Sequence, residues 1–287
     1  MQNENDAQIS VMERWMEETK MYRAYWGMEF NPFDKELQEK KFYQGIDYTE
    51  MMKRLEYLRN IRGIGLFTGL PGTGKTACLR AFVSGLNPNL YKVVYLQMTT
   101  ISTNDFYKDL AVSLGLEPSF RKIDNFRNIQ ERIRNMYREQ KTTLVIIIDE
   151  AQYLNRGVLA DLKLLMNFDM DSRNYALLIL AGQPLLNNIL SMQMHEALRQ
   201  RIVISYNLQG MQAEEVADYA RNRMKLCGVA QEIFEDAALE AAFGCCGGSI
   251  RRLNNLLHKA LMIGCEQKVR SINTNVMLDA ANEIELI

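Results

Sequence analysis

The sequence is poor in the residues that build most metal and hydrolase sites. Its 287 residues include two histidines and five cysteines, and no two cysteines have CxxC spacing. A zinc site or a Ser-His-Asp hydrolase is therefore not expected. The cysteine pattern instead predicts reduced, buried thiols and no disulfide framework.

Long apolar runs are also missing. The longest are LVIII at 144–148 and ALLILAG at 176–182, far shorter than the roughly 20 residues that span a bilayer. The first residues, MQNENDAQ, are polar and acidic, unlike the start of a secretory signal. Together these absences predict a cytoplasmic protein without membrane contact.

Charge of one sign is not in excess either. There are 34 lysines and arginines and 35 aspartates and glutamates, a net charge of −1. No overall field attracts nucleic acid, so any such contact must come from a local basic patch or from many copies together. The apolar content of 47% is ample for one large domain, or for a core with a smaller module.

What the sequence does contain is a phosphate-binding loop. Residues 69–76 read GLPGTGKT and fit the pattern G-x4-G-K-[ST]. The glycines let successive N–H groups and the next helix N-terminus face one anion. Lys75 is predicted to reach the β- and γ-phosphates, and Thr76 to ligate Mg²⁺. The expected nucleotide-binding residues are Gly69, Leu70, Pro71, Gly72, Thr73, Gly74, Lys75, Thr76 and Ala77.

Two acids end a second apolar run, LVIIIDE at 144–150. Ligands of open parallel sheets bind at the carboxyl ends of the strands, so these acids are expected beside the loop. Asp149 is predicted to hold Mg²⁺ through water, and Glu150 to polarise the water that attacks the γ-phosphate. The predicted activity is ATP hydrolysis with Mg²⁺. The letters DEAQ resemble a helicase motif, but DEAD/DEAH helicases need two recombinase-like domains, and this chain has room for one sheet.

The remaining pattern alternates strands and helices. The apolar runs are continuous, which is typical of strands covered on both faces by helices. Beyond residue 209 the pattern is helical, so we predict segments 1–45, 46–209 and 210–287: an N-terminal helical segment, an α/β core and a helical domain. Strands are predicted at 64–68, 93–97, 144–148, 176–180 and 202–206, and helices at 1–26, 48–60, 75–84, 104–114 (capped by Thr103 or Asn104), 126–139 and 157–168.

Several motifs together resemble the AAA+ P-loop ATPases. They are NPF (31–33), GLPGTGKT, IIIDEAQYL (146–154), AGQPLL (181–186), LRQRI (198–202) and GGSIRRLNN (247–255). The combination is most similar to ExeA/GspA-like proteins and to the TnsC- and Mu B-like ATP-binding proteins of bacterial insertion sequences. The resemblance extends from about residue 28 to the C-terminus. It implies an α/β fold with a five-stranded parallel sheet and a C-terminal helical lid, and a neighbouring subunit that completes the ATP site.

The resemblance also implies further site residues. Gln183 stands where the family keeps its first sensor, although a plain helix start explains it as well. Arg199 or Arg201 would be the arginine finger that reaches the neighbour's γ-phosphate. Arg251 would be the second sensor, which contacts the phosphates of its own subunit.

A role in transposition follows from the same resemblance. Secretion members of the ExeA group carry a membrane segment and a periplasmic part, and the sequence shows neither, which favours the transposition branch. ATP-bound copies would then assemble as a ring or filament on duplex DNA, independently of its sequence, and recruit a DDE transposase. Expected DNA contacts are Thr99, Thr100 and Ser102 after the second strand and the basic turn Arg121–Lys122.

Three other functions stay open. The chain could be an ATP-dependent scaffold with negligible turnover, a replication initiator or clamp-loader-like protein, or a cytosolic ExeA/GspA-like ATPase that never meets DNA. An initiator usually adds a DNA-reading domain after the lid, and little chain remains beyond residue 270. Phosphate release and filament formation, each measured with and without duplex DNA, distinguish the scaffold and the ExeA/GspA-like ATPase from a transposition ATPase.

Overall fold

A computed structural model describes residues 21–34, 38–97 and 100–285. Most of the N-terminal helix predicted over 1–26 lies outside the described residues, and residues 21–26 of it are helical (α1). Thr99, one of the expected DNA contacts, also lies outside them. The chain divides into two compact units. One is Ile46–Gln209, and the other brings together the segment up to Gly45 and the segment from Gly210.

The larger unit is built on a five-stranded sheet, in which every strand pair is parallel. The strand order is β2–β3–β4–β1–β5, which confirms the predicted parallel α/β fold. The three inner strands are buried along their whole length, while the edge strands β2 and β5 alternate between covered and exposed residues. The strands are β1 Gly63–Gly69, β2 Tyr91–Leu96, β3 Thr143–Ile148, β4 Ala176–Gly182 and β5 Ile202–Leu208.

Helices cover both faces of this sheet. Side chains alternate between faces along a strand: in β3, Ile146 packs in the core under α4, α5 and α6, and Ile147 in the core under α2 and α3. Two apolar layers therefore hold the sheet between helices. The helices of this unit are α2 Ile46–Ile61, α3 Lys75–Ser84, α4 Thr103–Ser113, α5 Lys122–Arg138, α6 Arg156–Leu165, α7 Leu185–Ser191 and α8 Glu196–Arg199.

Two predicted helix starts were wrong. Helix α4 is capped by Ser102, whose Oγ accepts from the Asp105 N–H at 3.2 Å, and not by Thr103 or Asn104. Helix α5 begins at Lys122 and not at 126. Of the expected basic turn, Lys122 is therefore the first residue of the helix and Arg121 is its N-cap. In the first turn of this helix, Asn125 is fully buried and its side chain exchanges two hydrogen bonds with the Ser119 backbone.

The second unit is helical, as predicted. Helices α9 Ala213–Leu226, α10 Asp236–Cys246, α11 Ile250–Glu266 and α12 Thr274–Glu285 share one apolar core with Tyr22 and Trp26. The indole N–H of Trp26 donates to the Leu261 carbonyl at 2.9 Å, which fixes α1 on α11. Among the described residues of this unit, strand pairing is limited to an isolated bridge between Phe234 and Ile272.

The cysteine prediction holds in part. All five thiols are free. Cys78, Cys227 and Cys246 are buried, and burial raises the pKa of Cys78 to about 12, so this thiol stays protonated. Cys245 and Cys265 are only half-buried, and each lies in the last turn of its helix. Among the described helices, none is long and apolar enough to cross a membrane.

Candidate nucleotide-binding site

The loop GLPGTGKT joins β1 to α3 at the carboxyl edge of the sheet. Gly72 and Gly74 have φ values of 82° and 100°, a region that only glycine adopts at little cost. Gly74 is the N-cap of α3, which begins at Lys75. The turn therefore leads straight into a ten-residue helix, whose N-terminus favours bound anions.

Lys75 is buried within this loop, with 6% of its surface exposed. Its Nζ donates to the carbonyls of Gly69 at 2.7 Å and Leu70 at 3.0 Å. Thr73 Oγ1 donates to the same Leu70 carbonyl at 2.8 Å. The ammonium group is thus already held inside the loop, where it can exchange carbonyl partners for phosphate oxygens.

Asp149 forms the centre of the site. It is buried directly after β3, and three donors converge on its carboxylate. Thr76 Oγ1 and the Tyr95 hydroxyl donate to Oδ2 at 2.8 and 2.9 Å, and the Glu150 N–H donates to Oδ1 at 2.9 Å. Burial raises the pKa of Tyr95, and the charge of Asp149 and their hydrogen bond raise it further, so the phenol stays a donor.

The donor set fits Mg²⁺. Thr76 and Asp149 come from different elements, and the structure brings their oxygens together at 2.8 Å. Within the described ranges no group of three or more His, Cys, Asp or Glu side chains could hold a metal ion. A hydroxyl and one carboxylate suit a cation that keeps waters and takes its other ligands from nucleotide phosphates. With ATP bound, Mg²⁺ would supply charge neutralisation on the phosphates.

Glu150 follows Asp149 and is exposed at the same edge. Its backbone lies in the left-handed region, with φ of 51°. Its Oε2 accepts from Gln152 Nε2 at 2.6 Å and from Gln183 Nε2 at 3.4 Å. The Gln183 N–H in turn donates to Gln152 Oε1 at 3.0 Å. Two amide side chains therefore hold the carboxylate that was predicted to activate water.

The strand order explains why Gln183 is here. Strand β4 lies between β3, which ends at the acids, and β1, which ends at the phosphate loop. The residue that follows β4 must therefore lie between them at the edge where ligands of such sheets bind.

A further polar cluster lies under the loop. Thr68, the residue before Gly69, is 2% exposed. Its hydroxyl donates to Asn207 Oδ1 on β5 and accepts from Asn187 Nδ2 on α7, each at 3.1 Å. These hydrogen bonds link the residue that precedes the loop to β5 and α7, and so they fix the position of the start of the loop.

The three predicted arginines differ in exposure and in hydrogen bonding. Arg199, at the end of α8, is exposed, and its guanidinium makes no hydrogen bond or ion pair with any described residue. Arg201 is half-buried, and its Nη1 donates to the Lys163 carbonyl on α6 at 3.1 Å. Arg251 is exposed on α11 of the helical unit.

The expected DNA contacts meet at one place. Asn104 Nδ2 donates to the Phe120 carbonyl at 3.3 Å, so the start of α4, with Thr100 and Ser102 before it, lies beside the start of α5. The Ser102 hydroxyl is engaged in the N-cap of α4, where it donates to Asp105 Oδ2 at 2.6 Å. Lys122 pairs with Asp161 at 2.5 Å.

Arg121 is exposed, and its guanidinium is unpaired among residues 21–34, 38–97 and 100–285. The segment therefore combines one uncommitted cation with an adjacent apolar side chain, because Phe120 next to it is 89% exposed.

Five residues of the site were not predicted from the sequence: Tyr95, Thr68, Gln152, Asn187 and Asn207. Tyr95 and Asn207 lie in strands and carry no motif. Gln152 could have been found, because it lies in the DEAQ run and polar residues just after a strand of a parallel sheet face the ligand edge.

Part of the chain matches a known family. Residues 59–190 match the AAA domain family. General secretion pathway protein A of Aeromonas hydrophila is 29% identical over 248 residues, which are 84% of this chain and 44% of that protein. The chain thus spans less than half the length of this curated relative.

Two solved structures share the fold. The ORC2 protein of Aeropyrum pernix, in ADPNP–ADP complexes, has a TM-score of 0.64 with 16% identity, over 88% of this chain and 71% of that one. The ORC1 protein of Aeropyrum pernix, in complex with DNA, has a TM-score of 0.61 with 16% identity, over 85% and 65%. By this match, by the fold and by the residues of the site, residues 59–190 form an AAA domain of the P-loop ATPase type, which uses ATP with Mg²⁺.

Proposed function

We propose that this protein is an ATP-hydrolysing switch whose ATP-bound copies assemble on duplex DNA and recruit or activate a DDE transposase. The observation that supports hydrolysis is the arrangement of Glu150, which two amides hold beside the Asp149–Thr76 pair. A site for nucleotide binding alone needs the loop, but it does not need a positioned base.

Each residue has a role in this proposal. The loop N–H groups, Lys75 and the start of α3 bind the phosphates. Thr76 and Asp149 hold Mg²⁺. Glu150 accepts the proton of the attacking water while the water oxygen bonds to the γ-phosphorus and the bond to ADP breaks. Arg251 would contact the phosphates as the second sensor. Segment 1–45 would lie on the adenine side, segment 46–209 would be the catalytic core and segment 210–287 the lid. The protein would act in the cytoplasm.

Of the two candidate fingers, Arg199 fits better. A finger that acts on another subunit must be exposed in its own subunit, and the Arg199 side chain is exposed with no partner among the described residues. Arg201 is engaged with the Lys163 carbonyl and has further interactions. We therefore assign the finger to Arg199 and a structural role to Arg201.

Arg199→Ala is expected to lower turnover about 100-fold or more, because such a guanidinium stabilises the transition-state charge. ATP affinity should stay within about threefold, since binding energy comes from the subunit's own loop. Phosphate release and calorimetry measure the two effects. Arg201→Ala is the matched control and should mainly lower the melting temperature. Mixing Arg199→Ala with Lys75→Ala should restore activity at shared sites; no rescue at any ratio contradicts the assignment.

The DNA surface would be the start of α5 and the loop after β2. Asn125 anchors the start of α5 to the segment before it: it is fully buried, accepts from the Ser119 N–H at 2.7 Å and donates to the Ser119 carbonyl at 2.9 Å. The next residue, Phe120, is thereby held outward beside Arg121, with Thr100 nearby. An apolar side chain next to a cation suits a nucleic-acid groove, where arginine binds phosphate and apolar groups contact bases.

Arg121→Ala is expected to weaken duplex binding for all DNA sequences alike and to reduce the salt dependence of log K by about one unit per subunit. Phe120→Ala should weaken binding without changing that slope, because it removes no charge. Fluorescence polarisation of labelled duplex with an ATP analogue, over a salt series, measures both. Arg270→Ala, an exposed arginine of the helical unit, is the control. An unchanged affinity in both variants would contradict this surface.

The assembly itself is tested by electron microscopy. Wild type with duplex DNA and a non-hydrolysable ATP analogue should form rings or filaments, and ADP should not support them. No assembly on DNA at low salt would refute the DNA role. Stimulation of a purified DDE transposase by the assembled protein tests the partner.

A second candidate is an ExeA/GspA-like ATPase with no DNA role. The 29% identity with general secretion pathway protein A, over most of this chain, favours it. The fold likeness to ORC1, which was solved with DNA, favours the first. Basal hydrolysis and self-assembly that are both unchanged by duplex DNA would decide for the secretion-type function.

A further inference from the structure

Gln152 lies two residues after Glu150 and is 6% exposed. Its Nε2 donates to Glu150 Oε2 at 2.6 Å, and its Oε1 accepts from the Gln183 N–H at 3.0 Å. Both ends of the amide are therefore used. The opposite orientation would place oxygen against carboxylate and N–H against N–H, so only one orientation of this side chain is compatible with its neighbours.

The backbone at the end of β4 is shaped around this amide. A Cβ added at Gly182 would overlap Gln152 Oε1. Glycine at 182 thus leaves the space that the Gln152 side chain occupies, and the next residue supplies the N–H that binds it. A buried polar side chain so enclosed is held in place more firmly than a surface residue.

Glu150, by contrast, is exposed, and its backbone is in the left-handed region. A glutamate side chain in such a position is free to take several rotamers unless another group holds it. The hydrogen bonds from Gln152 and Gln183 both reach Oε2. Oε1 accepts no hydrogen bond from the part of the chain that the structure describes, and it is the oxygen that remains for a water proton.

We propose that Gln152 is a positioning residue for ATP hydrolysis: it fixes Glu150 Oε2 so that Oε1 meets the attacking water. The inference rests on the hydrolytic role of Glu150 proposed above. Because the same amide binds the Gln183 backbone, the base and the end of β4 move together. A displacement of β4 would thereby reach Glu150 through the side chains of Gln152 and Gln183.

Gln152→Glu tests this with the least change of shape. It keeps an acceptor for the Gln183 N–H but replaces the donor to Glu150 with a carboxylate. At pH 8 kcat should fall about 10- to 100-fold, the scale of a displaced general base, with KM within about twofold. Near pH 6 the introduced acid, whose pKa the adjacent carboxylate raises, regains a proton and donates again. The ratio of variant to wild-type kcat should therefore rise as the pH falls.

Gln152→Met is the second variant. It is similar in length, removes both hydrogen bonds and has no group that titrates. Its kcat should fall at every pH without recovery, while ATP binding by calorimetry stays near that of wild type. Gln140→Glu, at an exposed position just after α5, controls for the added charge and should resemble wild type throughout.

All rates are measured without DNA, so that the outcome is independent of the DNA role. A Gln152→Met kcat within twofold of wild type, or a Gln152→Glu ratio that is constant with pH, overturns the proposal. A wild type that does not hydrolyse ATP overturns both this inference and the hydrolytic part of the proposed function. If the wild type hydrolyses ATP here but does not respond to duplex DNA in the binding and assembly experiments above, the DNA role alone is removed.

Discussion

Lys75→Ala is expected to abolish ATP binding, with at least a 100-fold loss of affinity, or about 2.7 kcal/mol. The buried ammonium is the only charged group that the loop itself supplies, and charge-assisted hydrogen bonds to phosphate are among the strong ones. Loss of the Nζ bonds to the Gly69 and Leu70 carbonyls also loosens the loop. Isothermal calorimetry with ATP and Mg²⁺ measures the affinity, and phosphate release should vanish with it.

The control for Lys75→Ala is Lys92→Ala, which removes a lysine on the exposed side of β2. It should bind ATP as wild type does. Because the alanine at 75 could loosen the fold as well as the site, Lys75→Gln is measured beside it. This variant keeps a donor for the loop carbonyls but loses the charge. ATP binding by either variant at the wild-type level would contradict the assigned site.

Glu150→Gln is expected to slow phosphate release roughly 100- to 1,000-fold, within the range for loss of a general base. The amide has nearly the shape of the carboxylate but cannot accept the proton of water. Asp149, Thr76 and Lys75 are untouched, so ATP affinity should remain within about twofold. ATP-dependent assemblies should then persist for longer, because the step that ends the ATP-bound state is blocked.

Glu139→Gln, an exposed acid after α5, provides the matched control and should not change the rate. Phosphate release is measured for wild type and Glu150→Gln, each with and without duplex DNA. Equal rates in the four samples would remove the enzyme function and leave an ATP-dependent scaffold.

Much of the fold could be predicted because burial and periodicity agree. Inner strands such as LVIII are covered on both faces, so their apolar runs are continuous and easily recognised. The start of α3 at Lys75 was predicted because the loop motif fixes it. The starts of α4 and α5 were not, because Ser102 and Asn125 act through side-chain bonds to the backbone that polarity alone does not indicate.

The part of the site that lies in the two sequence motifs, GLPGTGKT and LVIIIDE, was predictable. The loop, Thr76, Asp149 and Glu150 follow from residue type and order. Tyr95 and Asn207 could not be inferred, because they reach the site through the sheet register, β2 beside β3 and β5 beside β1. Gln152 could have been placed at the ligand edge from its position just after β3, but its hydrogen bond to Gln183 required the strand order, since Gln183 follows β4. The choice between Arg199 and Arg201 required their exposure, which no pattern in LRQRI contains.

The tight fit of Gly182 against Gln152 has an evolutionary consequence. A mutation of either residue alone meets a penalty: a larger side chain at 182 collides with the amide, and a smaller one at 152 leaves a buried N–H without an acceptor. Homologous chains are therefore expected to exchange the two positions as a pair. An alignment of relatives would show this as covariation between sites thirty residues apart, which the fold brings into contact at the carboxyl edge of the sheet.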